Sequence, residues 1–248
     1  MRVEDTKCFG CEACIPYCPV EAISMRSDGI ASVDWDICVE CGNCQRAAQE
    51  ICGAFYREEE SLQWPRVLRA ALSDTAFVSP LPQVKARGRG GGEKTNDVEG
   101  NFLPGEMGVQ VELGRPNSGV SFKEVEKFTK ALAQIGIQFD PAIPTTRIMD
   151  DPSRGTFPEE ALKQRTLTVY VSFKTDEPGF DRSMEVIADL CRGLTTLATI
   201  TLIRKVEPGQ EMFPTGTLDR LGYSIQPNGK VNLGLGKPAY DFTERRQS

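Results

Sequence analysis

Eight of the nine cysteines fall between positions 8 and 52. Cys8, Cys11, Cys14 and Cys18, closed by Pro19, follow the spacing C-x2-C-x2-C-x3-C-P. Cys38, Cys41 and Cys44 repeat the triplet, and Cys52 follows after seven intervening residues. A segment so dense in thiols has few positions left for an apolar core, so whatever the thiols bind must organise its fold. A disulfide framework suits an exported domain. MRVEDTKC, however, has neither a basic nor an apolar leader region, and no apolar run is long enough to span a bilayer. The expectation is a soluble, cytoplasmic chain whose cysteines are metal thiolates. Zinc binds C-x2-C pairs, but a spacer separates such pairs in zinc ribbons, and here triplets occur twice. With no histidine anywhere, histidine-ligated metal is excluded and the commonest general base is missing.

The two cysteine groups together make residues 1–56 resemble the bacterial two-cluster ferredoxins, in which paired strand–loop–helix units surround two [4Fe–4S] clusters. The resemblance implies a crossed ligand pattern, the fourth cysteine of each motif serving the other cluster. Cys8, Cys11, Cys14 and Cys52 would then hold one cluster, and Cys38, Cys41, Cys44 and Cys18 the other. Between the groups, Asp28-Gly29 flanked by short alternating segments predicts a hairpin. One departure stands out. The family's second motif would place its last cysteine four residues after the third, followed by proline, whereas this chain has Ala48 there and Gly53 after Cys52. QRAAQEI must therefore lengthen a helix or loop out; four-cysteine ligation of the first cluster is the expectation, with a [3Fe–4S] or labile site as the alternative, and the missing proline would leave one cluster more exposed. Phe9, Tyr17 and Trp35 read as shielding or hairpin residues.

Residues 1–60 hold twelve Asp or Glu against five Lys or Arg, while the remainder is nearly balanced. Acidity at the cysteine-rich end argues against nucleic acid, favours a partner with a basic docking face, and points the clusters towards low potential.

Residues 57–104 read as a short helix and a Gly/Pro-rich linker. WPRVLRAALSD predicts the helix, with Pro65 near its first turn and Trp64, Val67, Leu68, Ala71 and Leu72 as its buried side. GRGGGEKT fails the phosphate-loop pattern, because Lys94 follows Glu93; Arg87, Arg89 and Lys94 leave an anion- or partner-binding loop as the alternative to a plain connection. From 105 to 206 the periodicity predicts β–α–β–(short α)–β–α–β: Met107, Val109, Val111 and Leu113 alternate, Ser121 and Glu124 form a capping box, and GIQFD, TTRIMD, TLTVYVSFK and LATITLIRKV read as strands. FPEEALKQR and DRSMEVIADLCRGL read as helices, with Cys191 on the inner stripe of the second. The fold class expected is α+β: the two-cluster module followed by a split βαβ antiparallel sheet with helices on one face. This region also resembles ACT-type domains, which implies an effector site at the turn holding Gly114, Pro116 and Gly119, or a dimer interface. Residues 207–248 read as an extension with a hairpin at Asn228-Gly229 and a weak GLG motif.

No substrate-binding constellation accompanies the clusters, so electron transfer is expected rather than catalysis by this chain alone. The expected partner is a redox protein or oxidoreductase, either freely encountered or within an oxygen-sensitive complex. An exposed sheet edge makes homodimerisation through the second domain plausible. A ligand-responsive regulator using the ACT-like domain is the alternative.

Overall fold

The computed structural model describes residues 1–84, 102–114, 118–204, 209 and 214–224. The GRGGGEKT loop, Pro116, and the Asn228-Gly229 and GLG segments lie outside them.

In the cysteine-rich segment, β1 (Arg2–Val3) pairs antiparallel with β4 (Phe55–Tyr56), bringing the two ends of the segment together. Between them lies the expected hairpin of β2 (Ile23–Met25) and β3 (Ala31–Val33), turning at Gly29 with φ +81°. Its one full α-helix, α1 (Asn43–Ala48), lies against the 3-10 turn Ile15–Tyr17 that follows the first cysteine triplet. Few apolar side chains are available, and Met1, Ala22, Ile23, Ala31, Ala48 and Phe55 share the interior with Cys14, Cys38 and Cys44.

All seven residues of α2 (Val67–Ser73) are buried. Leu68, Ala71 and Leu72 join the main core, and Val67 and Ala70 a smaller one with Leu62. The expected buried side is corrected at one position: Trp64 is 43% exposed. The helix starts two residues after Pro65, so Trp64 precedes it and is not on its inner stripe.

The larger sheet has the order β8 (Val169–Thr175), β5 (Met107–Leu113), β9 (Ala198–Arg204), antiparallel throughout. Phe139 bridges Phe173 on the outer edge of β8, so the predicted GIQFD strand contributes a single bridge. Met107, Val109, Val111 and Leu113 meet Phe122, Val125, Phe128 and Leu132 of α3 (Phe122–Gln134) and Phe180, Met184 and Ile187 of α6 (Glu177–Arg192) in one core. The alternation predicts a half-buried β5, yet all seven residues are buried. On the other face the Gln110 amide donates to Ser172 Oγ at 2.9 Å, satisfying a polar group that alternation alone would leave to solvent.

β6 (Val120–Ser121) pairs with β7 (Arg165–Thr166) and leads into α3. Ser121 Oγ accepts the Glu124 amide at 3.3 Å, the expected cap. Ser121→Ala should cost about 1 kcal/mol in a denaturant titration, the usual value of such a cap. TTRIMD is corrected from strand to helix: it forms α4 (Pro144–Ile148), since Pro144 fixes φ in the first turn, where its missing N–H is harmless. α5 (Glu159–Leu162) matches FPEEALKQR, and α6 begins earlier than expected because Asp176 caps it by accepting the Gly179 amide at 2.8 Å. α7 (Thr215–Arg220) follows β9. Cys191 lies partly buried against the core, its thiol beside Tyr223.

Candidate iron–sulfur site

Each cysteine triplet turns through two residues of left-handed backbone at matching positions. In the first loop they are Gly10 (φ +74°) and Glu12 (φ +59°); in the second, Glu40 (φ +56°) and Gly42 (φ +73°). The loops share a path while exchanging which position carries the glycine. A Cβ at Gly10 would come within 2.7 Å of the Gly29 carbonyl, and one at Gly42 within 2.9 Å of Arg46 and 3.0 Å of Asp74. At Gly10 the neighbour is backbone, so a side chain is excluded there by space as well as disfavoured by φ; at Gly42 the neighbours are side-chain ends. The glutamates hold the same conformation at a strain of order 1 kcal/mol each.

The seven-residue gap before Cys52 is spanned by α1 and a tight return. The amides of Ile51, Cys52 and Gly53 all reach the Ala48 carbonyl, at 3.1, 3.0 and 2.9 Å. The chain reverses there and delivers Cys52 to the first triplet, so the added residues both extend the helix and form the turn after it.

The sulfurs gather in two sets. Burial pushes the Cys14 thiol up to about 11, and neighbouring Cys11, Cys8 and Cys52 push the same way. Burial pushes Cys44 up to about 12, with Cys38, Cys41 and Cys18 adding to it. Cys18, Cys38, Cys41 and Cys44 line one apolar cavity together with Val20, Ala22 and Val39. Amides already serve some of the sulfurs: Ala22 N–H donates to Cys18 Sγ at 3.1 Å and Ala31 N–H to Cys8 Sγ at 3.4 Å. The donor set, thiolates with amide support in a largely apolar surround, fits iron–sulfur clusters.

Thiols held this high are neutral at pH 7, so metal binds them only by displacing protons. Iron uptake by the apo-chain is therefore expected to strengthen as pH rises from 6 to 9, by about tenfold per pH unit for each proton released. Anaerobic iron titrations at several pH values check this; uptake independent of pH contradicts it.

The two sets differ in surroundings. In the first, Cys11 is exposed and Cys8 and Cys52 are partly so. Phe9 and Tyr17 beside them are 66% and 59% exposed, so these rings project into solvent and do not shield. In the second, Cys38, Cys41 and Cys44 are all buried, and an ion-pair network that the sequence does not announce surrounds their loop. Glu40, 0% exposed, accepts from Arg66 at 2.6 Å and from the Met1 amine at 2.5 and 2.6 Å. Burial alone would raise its carboxyl, but the Met1 amine and Arg66 outweigh that and hold it low. Arg46 and Arg57 share Asp74, at 3.0 and 2.5 Å. Trp35 lies between the Arg2 and Arg66 guanidinium groups, 3.2 and 4.1 Å from its ring centre, and its indole N–H donates to the Met1 carbonyl.

This loop also meets the larger sheet's region. Val39, Cys41 and Val20 contact Leu167, whose amide donates to Ser73 Oγ at 2.8 Å, and Arg69 donates to Gln164 at 2.8 Å. Nothing in the sequence signals this: Arg66, at the N-cap of α2, and Arg69, within an otherwise apolar helix, turn inward onto backbone carbonyls.

A family model described as a 4Fe-4S dicluster domain matches residues 7–47. A curated relative from Halobacterium salinarum, named as a "putative dimethyl sulfoxide reductase iron-sulfur subunit", is 41% identical over 61 residues. That match covers 24% of this chain and 23% of the relative's length. No solved structure matches. The N-terminal segment of this chain is a 4Fe-4S dicluster domain, and its cofactors are two [4Fe–4S] clusters.

Proposed function

We propose that this chain passes single electrons through its two clusters to or within a partner oxidoreductase, as a subunit of an oxygen-sensitive complex. Cys8, Cys11, Cys14 and Cys52 hold one cluster; Cys38, Cys41, Cys44 and Cys18 hold the other. The observation that carries the reading is the polarity of the two sets: the first opens to solvent at Cys11, and in the second Cys38, Cys41 and Cys44 are buried, Cys41 against Leu167. A carrier between two proteins, or between a partner and an interior site, needs such an accessible end. The name of the halobacterial relative supports an oxidoreductase context, and exposed Asp5, Glu12, Glu21 and Glu50 support a basic face on the partner.

The clusters supply one-electron chemistry with little structural change; the chain's own residues bind them, bond their sulfurs and control water access. Residues 1–56 form the cluster domain, 57–104 a helix and linker, 105–206 a split βαβ domain of ACT-like type, and 207–248 an extension. The strand order β9–β5–β8, with Phe139 beyond β8, supports the split βαβ reading. The turn glycines that the ACT-like resemblance implicates have structural duties: a Cβ at Gly114 would meet the Leu167 carbonyl at 2.6 Å, and one at Gly119 would meet Val20 at 2.9 Å. A homodimer would use the outer edge of β9. Among the described residues no helix is long and apolar enough to cross a membrane.

Anaerobic purification from the native cell tests the proposal. An oxidoreductase subunit that reduces or oxidises the clusters should travel with the chain or react with it after mixing. Clusters that exchange electrons with no oxidoreductase from that cell would contradict it.

A further inference from the structure

We propose that Arg46, Arg57 and Arg69 are positioning residues for the second cluster, holding the carbonyls of the 38–44 loop outward so that its amides face the thiolates and raise that cluster's potential. The proposal rests on the ligand sets given above.

Arg69 is 5% exposed, and its Nη1 donates to three carbonyls, those of Trp35 at 2.8 Å, Asp36 at 3.0 Å and Cys38 at 2.7 Å. Gln164 fixes its Nε. Arg57 donates to the Glu40 carbonyl at 2.8 Å and Arg46 to the Cys41 carbonyl at 2.6 Å. In a planar trans peptide the N–H points opposite to the C=O. Drawing the carbonyls of Cys38, Glu40 and Cys41 towards guanidinium groups therefore turns the amides of Val39, Cys41 and Gly42 the other way. One amide already bonds a sulfur of this set, that of Ala22 to Cys18 at 3.1 Å.

The first loop is arranged differently. Its Glu12 and Cys14 carbonyls take the amides of Ile15 and Tyr17. Its salt bridges nearby, Lys7 with Glu4 and Arg26 with Asp5 and Asp28, lie on the surface. Around the second loop Arg46 and Arg57 pair with Asp74 and Arg66 with Glu40, while Arg69 bonds backbone carbonyls, so four guanidinium groups stand beside two carboxylates. Sulfur hydrogen bonds and local positive charge both favour the state with one more electron. Burial opposes it, since it disfavours the more highly charged state. Fixed donors in a dry site outweigh that because they act undiluted by water. The low potential expected from the segment's overall acidity thus applies to the first cluster alone.

The test is an anaerobic redox titration of the loaded full-length chain, with the two clusters followed separately by electron paramagnetic resonance. Cys11→Ser and Cys41→Ser assign the signals; if neither alters one signal selectively, the ligand sets are wrong and the proposal falls with them. Arg69→Lys keeps the charge but loses the Nε bond to Gln164 that fixes the group and the reach that brings Nη1 to the three carbonyls. Arg46→Gln removes a half-exposed guanidinium on α1 while Asp74 keeps its bond to Arg57, and it decides the matter if Arg69→Lys loses iron. The expected result is a drop of about tenfold in the reduced-to-oxidised ratio of the second cluster at its wild-type midpoint, about 59 mV for a one-electron couple. The first cluster should stay unmoved. Equal shifts in both clusters, or no shift in either with iron retained, would overturn the proposal.

Discussion

Glu40→Ala is expected to destabilise the chain by about 3–5 kcal/mol, the cost of breaking a buried ion pair and leaving one charge behind. Its carboxylate has no exposed surface and accepts from Arg66 at 2.6 Å and from the Met1 amine. Arg57 lies 4.0 Å away but is already paired with Asp74. Arg66 is left with the Trp35 carbonyl at 3.1 Å and the Trp35 ring, which do not neutralise it. Alanine gives no relief in return, because the position stays at φ +56°. Glu40→Gln should cost less, since it keeps the acceptor and the shape while losing the charge. Glu40→Gly separates the backbone contribution, regaining about 1 kcal/mol of strain relative to alanine. Denaturant titrations followed by tryptophan fluorescence read all three. Equal midpoints for Glu40→Ala and wild type would show that the pair does not hold the second loop in place.

Cys14→Ser is expected to remove the first cluster and leave the second. Iron should fall from about eight to about four per chain, and the remaining signal should belong to the loop at 38–44. Cys14 is the buried member of its set, and burial has pushed its thiol up to about 11. A serine hydroxyl there ionises still less readily and sits where solvent cannot easily stand in as a ligand. Cys11→Ser, at an exposed position, should lose less iron, since water can approach. Iron analysis after anaerobic gel filtration distinguishes them. Loss of both clusters in Cys14→Ser would contradict the separate ligand sets, and unchanged iron would remove Cys14 from the first.

The eight thiols, the hairpin at Asp28-Gly29 and the two long amphipathic helices are legible in the sequence because each rests on local chemistry: ligand spacing, a turn dipeptide, or a 3.6-residue apolar stripe with a cap. TTRIMD misleads because a β-branched run suggests a strand, whereas Pro144 commits the backbone to a helical turn. Trp64 misleads because the apolar stripe of α2 extends past the helix start. The arginine group is not legible at all. Arg46, Arg57, Arg66 and Arg69 stand singly in the sequence, with separations that suit exposed helix or loop positions. The approach of α2 brings Arg66, Arg69 and Asp74 to the second cysteine loop, where Arg46 and Arg57 already bond the Cys41 and Glu40 carbonyls. Overall acidity conceals this, since a net charge averages over surroundings that differ between one loop and the other.

Anaerobic reductive titration of the loaded chain, with iron and acid-labile sulfide measured on the same sample, addresses the two-cluster assignment most directly. The expected result is about eight iron and eight sulfide per chain, with two one-electron reductions, each reversible and each bleaching part of the visible absorbance. About four iron with one reduction, or metal bound without sulfide, would contradict it.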